Sequence, residues 1–444
     1  MGEASGGLPD RATANAPAVG KHLLSTPDGS RASTRVGPAL RGYEGRSRAP
    51  CHQASTRSLR QLQAEAWPGR RCLVALGRES VRIQSRRLTV DSAAGRVRRE
   101  LLADRVRLDP GVAPNPGMAR EKVMKAIVQV QYGSPDVLRL KDIDKPVVKD
   151  DEVLVRVRAA AVNIADWHLL RGVPYVMRLV IGVRKPKRGI PGLDIAGQVE
   201  AAGTNVRQLR PGDEVFGWCK GAFAEYACAA ENNLLPNPAN LTFEQSAAVG
   251  DSAFTALAAV RDQGKVQPGH SVLINGASGG VGTFAVQIAK SFGANVTGVC
   301  SARNVDMVRS IGADQVIDYT KEDFTQTGQR YDVMLDLVGN RSLSDCRRAL
   351  TPRGTYVLVG VRDLGRWFGL GPQIKALLVS PFVRQRMRVF VVRHNRQDLA
   401  VLKELVEAGK VAPVIDRRYA LSDVPEALRY QGEGHSQGKI VIAT

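Results

Sequence analysis

The sequence lacks several features that would assign it to particular classes of protein. Its six cysteines are widely scattered and none forms a CxxC pair, which argues against a disulfide framework and a cysteine-based zinc site. No run of about 18 consecutive apolar residues occurs, so no membrane span is predicted. The first residues also lack a charged region followed by an apolar run, the pattern of a secretory signal. These absences favour a reducing compartment, and we expect a cytoplasmic location.

Positive charge is in excess, and more than half of that excess lies at one end of the chain. The formal net charge is +20, and residues 1–120 hold 20 Arg and one Lys against 10 Asp and Glu, a surplus of 11. Residues 1–117 are rich in Gly, Ala, Pro, Ser and Arg and sustain no helical or strand period. Such a segment cannot bury enough apolar surface to offset its chain entropy, so a disordered extension is predicted.

Three interpretations of this extension compete. Its arginines could bind nucleic acid or another acidic surface. It could be a transit peptide, although its length and its acidic residues argue against that. Alternatively, translation truly starts at Met118 or Met124, and the arginine-rich leader is a translated GC-rich upstream region. We favour this last interpretation and expect no specific nucleic-acid partner.

The pattern changes at Met124, where short β-rich segments begin. Strands are predicted at residues 124–130 and 134–140, in the alternating stretch around residues 153–158, and at residues 194–199 and 214–218. Pro-Gly turns at Pro191 and Pro211 separate some of them. Residues 124–249 are therefore expected to form a small, mostly β domain.

From about Thr242 the chain alternates between helices and strands. Helices are predicted at residues 243–260, 283–292 and 305–311, and strands at residues 271–275, 295–300, 331–336 and 354–361. Strands separated by helices indicate right-handed βαβ units and a parallel sheet, here over residues 250–385. Residues 386–444, with helices at 399–408 and 422–430 and a strand at 439–443, are expected to return to the first domain.

A glycine-rich turn gives the sharpest chemical signal. It follows an apolar strand and opens a helix, and consists of Gly276, Ala277, Ser278, Gly279, Gly280, Val281 and Gly282. Glycines in this position let the backbone approach a pyrophosphate, which the helix N-terminus then binds. The strict GxGxxG spacing is absent, so the turn alone does not establish a dinucleotide site.

The end of the second strand indicates which dinucleotide is bound. A carboxylate there usually binds the ribose 2′-hydroxyl of NAD. This chain has instead Ser301, Arg303 and Asn304. An arginine beside a hydroxyl suits a 2′-phosphate through charge-assisted hydrogen bonds. The predicted cofactor is therefore NADPH.

Five segments together resemble the zinc-free, quinone oxidoreductase-like branch of the medium-chain dehydrogenase/reductase superfamily. They are Met124-Lys-Ala-Ile, Ala161-Val-Asn-Ile-Ala-Asp-Trp-His168, Pro191-Gly-Leu-Asp-Ile-Ala-Gly197, Pro211-Gly-Asp-Glu-Val-Phe-Gly217 and Asn275-Gly-Ala-Ser-Gly-Gly-Val-Gly282. The resemblance covers Met124 to Thr444. It implies a GroES-like β domain, a Rossmann domain with a doubly wound parallel sheet, and a cleft between them for the nicotinamide. It also implies a homodimer.

At the positions where zinc-dependent members of this superfamily bind the metal, this chain has different residues. By resemblance, zinc-dependent relatives have cysteine at Asn163 and a histidine-glutamate pair at Leu193 and Asp194. Leucine cannot bind a metal and asparagine is a poor zinc ligand, so no metal is expected. Without a Lewis acid, oxidation of simple alcohols is disfavoured. A quinone or an α,β-unsaturated carbonyl needs less assistance, so we expect such an acceptor.

The resemblance also suggests catalytic roles. Asn163 lines the pocket and donates through its amide, and His168 is the candidate proton source, with packing as the alternative. Asp166 is expected to fix the loop through hydrogen bonds rather than to transfer protons. Trp167 and Tyr175 wall the pocket or simply pack.

Weaker candidates for the cofactor cleft are Thr255, Tyr319, Gly339, Asn340 and Gly360. By resemblance, relatives have a small apolar stretch near the start of the helix predicted at residues 243–260. Asp251 departs from it, and either tunes the site or marks a different substrate. Two basic runs, at residues 184–188 and 384–388, are expected to be solvated faces, with an entrance for acidic substrates or a membrane contact as alternatives.

Two other functional classes remain open. The protein could bind NADPH without catalysis, as a sensor or structural protein. It could also act on nucleic acid through residues 1–117.

Overall fold

The computed structural model describes residues 122–187, 189–360, 371, 378, 380 and 383–444. The predictions for residues 1–117 therefore lie outside the described residues, as does Arg188 at the end of the first basic run. Residues from 122 onward form part of one compact unit.

Strands in the described ranges fall into three sheets. Their bounds are β1 Val123–Gln129, β2 Leu138–Asp144, β3 Glu152–Val162, β4 Asp194–Ala202, β5 Glu214–Trp218, β6 Tyr226–Ala230, β7 Leu234–Pro236, β8 Ser271–Asn275, β9 Asn295–Cys300, β10 Gln315–Asp318, β11 Tyr331–Asp336, β12 Leu350–Leu358, β13 Arg386–Val389, β14 Ile415–Ala420 and β15 Lys439–Ala443. The helices are α1 Ile164–Arg171, α2 Arg178–Ile181, α3 Phe243–Leu257, α4 Gly280–Ser291, α5 Val305–Ser310, α6 Leu343–Arg348, α7 Arg396–Glu407 and α8 Val424–Glu433. None of these helices is long and apolar enough to cross a membrane.

The GroES-like part is a seven-stranded sheet of order β14-β15-β3-β4-β5-β7, with β6 also paired to β3. Its pairs are antiparallel except β14 with β15. The last strand, β15, therefore lies between β14 and β3. β1 and β2 form a separate antiparallel pair.

The Rossmann part is a six-stranded sheet of order β10-β9-β8-β11-β12-β13, in which every pair is parallel. The central residues Val272, Leu273 and Ile274 of β8 are fully buried, as expected for a strand covered on both faces. The strand order reverses between β8 and β11, which is the point where open α/β sheets bind ligands.

Helix α3 connects the two sheets. It begins with a capping box between Thr242 and Gln245. It packs against β3, β4, β5 and β15 of the seven-stranded sheet and against helices α4 and α7. One apolar cluster accordingly includes Ala161 from one sheet, Val272 from the other and Phe254 from the helix.

Most predicted elements are present, with shifted ends. The strand predicted at residues 134–140 begins only at Leu138, because Pro135 starts a short 3₁₀ turn over residues 135–137. The helix predicted from Thr283 starts at Gly280, since the glycines themselves enter the first turn. The parallel sheet extends past the predicted boundary at residue 385, because β13 pairs with β12.

Candidate active site

The glycine-rich turn lies between β8 and α4 and has a fixed backbone. The N–H groups of Gly276 and Ala277 donate to the carbonyl of Val299 at 3.1 and 3.0 Å. Gly276 has φ +92°, which favours glycine. A Cβ on Gly282 would lie 2.1 Å from the Gly276 carbonyl oxygen. Gly279, the N-cap of α4, has no side chain to occupy the first N–H groups. The turn is thus shaped for an anion at a helix N-terminus.

Other predicted cofactor residues lie beyond the carboxyl ends of neighbouring strands. Ser301 follows β9, Tyr319 follows β10, Gly339 follows β11 and Gly360 follows β12. Asn340 accepts a hydrogen bond from Asn275 Nδ2 at 3.0 Å. The structure therefore brings these residues to the edge that carries the glycine-rich turn.

Asn304 and Arg303 connect this edge to other segments. Asn304 Nδ2 donates to Ser278 Oγ at 2.9 Å and to Ser301 Oγ at 3.3 Å. Arg303 donates to the carbonyl of His435 at 2.8 Å. Thr255 differs from the others, because it lies within α3 and not at a strand end.

A buried ammonium group lies where the seven-stranded sheet meets α3. Lys439 is only 2% exposed and belongs to β15. Its Nζ donates to the carbonyl of Val162 at 3.2 Å, to Ser252 Oγ at 3.1 Å and to Asn163 Oδ1. Asp194 Oδ2 lies 3.7 Å away, and this carboxylate is fully buried. The charges are therefore compensated within the protein.

Asn163 and Asp194 complete this cluster. Asn163 Nδ2 donates to Asp194 Oδ2 at 2.9 Å, so both ends of the amide are held. Burial raises the pKa of the Asp194 carboxyl, although the ammonium of Lys439 acts in the opposite direction. We call Lys439, Asp194, Asn163 and Ser252 the lysine cluster.

The lysine cluster contacts the glycine-rich turn. A Cβ on Gly280 would lie 3.2 Å from Lys439 Cδ and 3.3 Å from Ser252 Oγ. The N–H of Gly438 donates to the carbonyl of Ser278 at 2.9 Å. The C-terminal strand thus ties the predicted cofactor turn to the GroES-like part.

A break in α3 brings Asp251 to the same place. Gly250 has non-helical φ −4° and ψ −135°, and a Cβ on it would lie 2.0 Å from Asp194 Cγ. The N–H of Asp251 donates to Asp194 Oδ1 at 2.9 Å. Glycine at position 250 therefore permits the close approach of the helix to Asp194.

The Asp251 carboxylate is paired with His394, whose Nε2 lies 2.9 Å from Asp251 Oδ1. Burial alone lowers the pKa of His394, but the hydrogen bond and charge of Asp251 raise it, and the net shift is upward. The imidazole also lies against Phe254 and Trp218, with ring centroids 4.7 and 5.5 Å away. Asp251 thus faces the imidazole of His394.

Asp166 has the hydrogen-bonding role expected of it. Its Oδ2 accepts from the N–H of Asn163 at 2.9 Å, which closes the capping box of α1. Burial raises its pKa from 3.8 to about 7, and the charges of Asp194 and Asp251 add to this, while the hydrogen bond opposes it. Asp166 also lines a cavity of about 410 Å³ with Leu169, Leu193 and Val180.

We expect Asp166→Asn to gain stability relative to the wild type as pH rises. An aspartate whose native pKa is raised stabilises fully below its unfolded pKa and loses that contribution as pH rises through the native value. The rise to about 7 corresponds to about 4 kcal/mol lost between roughly pH 4 and pH 7. Urea unfolding at pH 4, 6 and 8 measures it. A constant difference between the two proteins across this range would contradict the prediction.

The other residues predicted at the pocket lie on α1 or in the short 3₁₀ turn at residues 175–177. His168 is in its last turn, where its carbonyl accepts from the N–H of Val173 at 3.1 Å. It is not among the described residues that line the cavity. Trp167 packs on α8, because a Cβ on Gly432 would lie 2.6 Å from its ring. The guanidinium of Arg178 stacks over Tyr175, 4.5 Å from the centroid of the tyrosine ring.

In the part of the chain that the structure covers, no three His, Cys, Asp or Glu side chains are grouped so as to hold a metal ion. Sequence reasoning did not identify Lys439, Ser252 or His394 as site residues. A signal existed only for Lys439, a single charge at the start of the apolar strand Lys-Ile-Val-Ile-Ala.

Two family models match the chain. One is described as an alcohol dehydrogenase GroES-like domain and matches residues 149–239. The other is described as a zinc-binding dehydrogenase and matches residues 311–442. Both matches lie within Met124 to Thr444.

Individual proteins match the same range. The mouse protein named NAD(P)H oxidoreductase RTN4IP1, mitochondrial, is 34% identical over 73% of this chain and 90% of its own length. Human quinone oxidoreductase is 32% identical over 72% of this chain and 98% of its own. The structure of the quinone oxidoreductase from Coxiella burnetii aligns with a TM-score of 0.64 at 30% identity, over 73% of this chain and all of that one. The chain therefore belongs to the medium-chain dehydrogenase/reductase superfamily, in its quinone oxidoreductase-like branch, and is an oxidoreductase with a nicotinamide cofactor.

Proposed function

We propose that the protein transfers hydride from NADPH to a quinone or an α,β-unsaturated carbonyl without zinc. The position of the Lys439 ammonium carries this proposal. The ammonium contacts Asn163 and lies 3.7 Å from Asp194. By resemblance, these are positions where zinc-dependent relatives have zinc ligands. Since like charges repel strongly in a buried site, an ammonium held there disfavours a metal cation beside it.

The chain's own residues fit a bound dinucleotide. The turn from Gly276 to Gly282 would hold the pyrophosphate, since a Cβ on Gly282 would fill the turn and Gly279 leaves the first N–H groups of α4 accessible. Ser301 and Arg303 would hold the 2′-phosphate. NADPH supplies the hydride when bound.

Two residues are proposed to assist the acceptor. The amide of Asn163 is held by Lys439 and Asp194, so its second N–H can be directed at a developing negative oxygen at little entropic cost. For the proton we propose Asp166 in preference to His168, because Asp166 lines the cavity and has a pKa of about 7. A general acid works best near the pH of the reaction.

NADPH oxidation by the full chain tests the proposal, with a chelator present and a panel of quinones and enones as acceptors. The expected result is turnover that resists the chelator and prefers NADPH to NADH. Human quinone oxidoreductase is a suitable positive control because of its name and similarity. Activity that requires added zinc would contradict the zinc-free mechanism. Tight NADPH binding with no turnover of any acceptor would favour the sensor alternative.

We expect Arg303→Gln to weaken NADPH binding by about 10- to 100-fold, the loss of a charge-assisted hydrogen bond. NADH affinity should change little, because NADH has no 2′-phosphate. Fluorescence titration of both cofactors measures this. Arg309→Gln is a matched control, because Arg309 is also an exposed arginine and lies on the adjacent helix α5. An equal loss for both cofactors would mean that Arg303 supports the fold through His435.

We propose the division of the chain that the sequence predicts, except that the cofactor part is longer at its C-terminal end. Residues 124–249 and the C-terminal return form the catalytic part and residues from 250 the cofactor part, which now extends through β13. A homodimer, a cytoplasmic location and the absence of a specific nucleic-acid partner remain predictions. The mouse relative itself is named as mitochondrial.

A further inference from the structure

One surface segment groups several large apolar side chains that are exposed. In residues 175–187, Val176 is 50% exposed, Leu179 71%, Val180 75% and Val183 64%. Exposed apolar residues that occur singly are normal on proteins, whereas a contiguous group marks an interaction site. We call residues 175–187 the apolar segment.

The apolar segment is held firmly to the body of the protein. Arg178 lies between Tyr132 and Tyr175, with ring centroids 4.4 and 4.5 Å from its guanidinium, and donates to the carbonyl of Gly172 at 2.9 Å. The hydroxyl of Tyr132 donates to the carbonyl of Gly182 at 2.7 Å. These contacts present the apolar side chains outward at little further entropic cost.

Cations adjoin the exposed apolar side chains. Arg184, Lys185 and Lys187 are all exposed and follow directly on Val183. A surface that combines apolar side chains with a cluster of cations is complementary to an anionic lipid bilayer, because the apolar groups enter the headgroup region and the cations meet lipid phosphates. Water alone would satisfy the cations but not the apolar groups.

The position of the segment gives such a contact a use. Val180, Ile181 and Lys187 line the same cavity as Asp166. A membrane in contact with the segment would therefore lie at the mouth of that cavity. Apolar acceptors concentrate in membranes, so the cavity would open toward their source.

We propose that the apolar segment docks the protein on anionic membrane surfaces. The docking itself does not depend on the proposed reaction, so the failure of either can be recognised separately. A second copy of this chain would be a different occupant, and the experiment distinguishes it from a membrane.

Hydrogen–deuterium exchange of the full chain, with and without vesicles, tests the proposal. We expect vesicles of phosphatidylcholine with phosphatidylglycerol to protect amides in residues 175–187, and pure phosphatidylcholine vesicles to protect them much less. Co-sedimentation then compares variants. Arg184→Gln/Lys185→Gln should lower partitioning on the order of fivefold per cation. Leu179→Ser/Val183→Ser should abolish the protection.

Matched controls use side chains outside the segment. Val147→Ser/Val391→Ser removes two valines that are each 89% exposed, and Arg330→Gln/Lys410→Gln removes two exposed cations. Neither should change partitioning or exchange. Vesicle binding that leaves the exchange of residues 175–187 unchanged would overturn the proposal, since the arginine-rich residues 1–120 would then account for it. If residues 175–187 become protected without vesicles as the protein concentration rises, a second copy of the chain covers the segment. That result would also overturn the proposal.

Discussion

Replacing Lys439 with methionine is expected to lower the free energy of unfolding by about 3–5 kcal/mol near pH 8, the usual cost of removing one partner of a buried ion pair. The methionine side chain fills much of the same volume, so the loss is mainly electrostatic. Asp194 would keep its hydrogen bonds from Asn163 and Asp251 but lose the only ammonium within 4 Å among the described residues. An uncompensated carboxylate in this buried position is strongly unfavourable.

The pH dependence separates charge from packing. Burial already raises the pKa of Asp194, and loss of the ammonium would raise it further. A carboxyl whose pKa is raised in the folded protein stabilises the fold at a pH below its unfolded pKa. It loses that contribution as the pH rises through its pKa in the folded protein. The destabilisation should therefore be smaller at pH 5 than at pH 8. Urea unfolding at both values, with the exposed Lys410→Met as control, measures it.

A second substitution should restore part of the stability. In Lys439→Met/Asp194→Asn the lysine cluster holds no charged side chain. The amide of Asn163 can then rotate so that its oxygen accepts a hydrogen bond from the asparagine at position 194. We expect the double variant to be more stable than Lys439→Met alone at pH 8. If the single variant loses the same free energy at both pH values, and the double variant is no better, the lysine contributes by packing and not by charge.

The second large effect is expected for Gly282→Ala. The added Cβ would lie 2.1 Å from the carbonyl oxygen of Gly276 and 2.8 Å from backbone atoms of Ala277. No side chain can move aside, so the turn itself must shift. We expect a loss of about 3 kcal/mol or more in stability and the loss of measurable NADPH binding at millimolar concentrations.

Gly279→Ala is the matched control within the same turn. A Cβ there meets only the Gly276 carbonyl oxygen, at 3.6 Å, an ordinary contact. Thermal unfolding of the two variants without cofactor should therefore show a large shift for Gly282→Ala and a much smaller one for Gly279→Ala, where only the poorer N-cap preference of alanine counts. Equal shifts would mean that the turn adapts to a side chain at either position.

Local signals explain why much of the fold was predictable. The strand from Ser271 to Asn275, the glycines after it and the helix they open are adjacent in sequence, so apolar period and glycine spacing identify them. The same holds for β5, β9 and β11, whose predicted bounds agree with the structure. The predicted end of an element was wrong where one residue sets the local conformation, as Pro135 does before β2.

The lysine cluster could not be predicted in this way. Lys439 contacts the carbonyl of Val162 across 277 residues, and no local pattern encodes such a pairing. The Asp251–His394 contact spans 143 residues and depends on the break at Gly250. The sequence leaves the role of Asp251 open, because its partner His394 lies in a loop without a periodic signal.

The place of β15 in the seven-stranded sheet has a consequence for synthesis on the ribosome. This strand, residues Lys439–Ala443, pairs with β3 on one side and β14 on the other. Because Lys439 follows its partner Val162 by 277 residues, the sheet begun at β3 can close only after the ribosome has made a much longer stretch of chain. Until then residues 159–162 of β3, which pair with β15, form an unpaired strand edge, a surface prone to aggregation. We therefore expect a long wait in a partly folded state, during which a chaperone has its greatest effect on the yield of active protein.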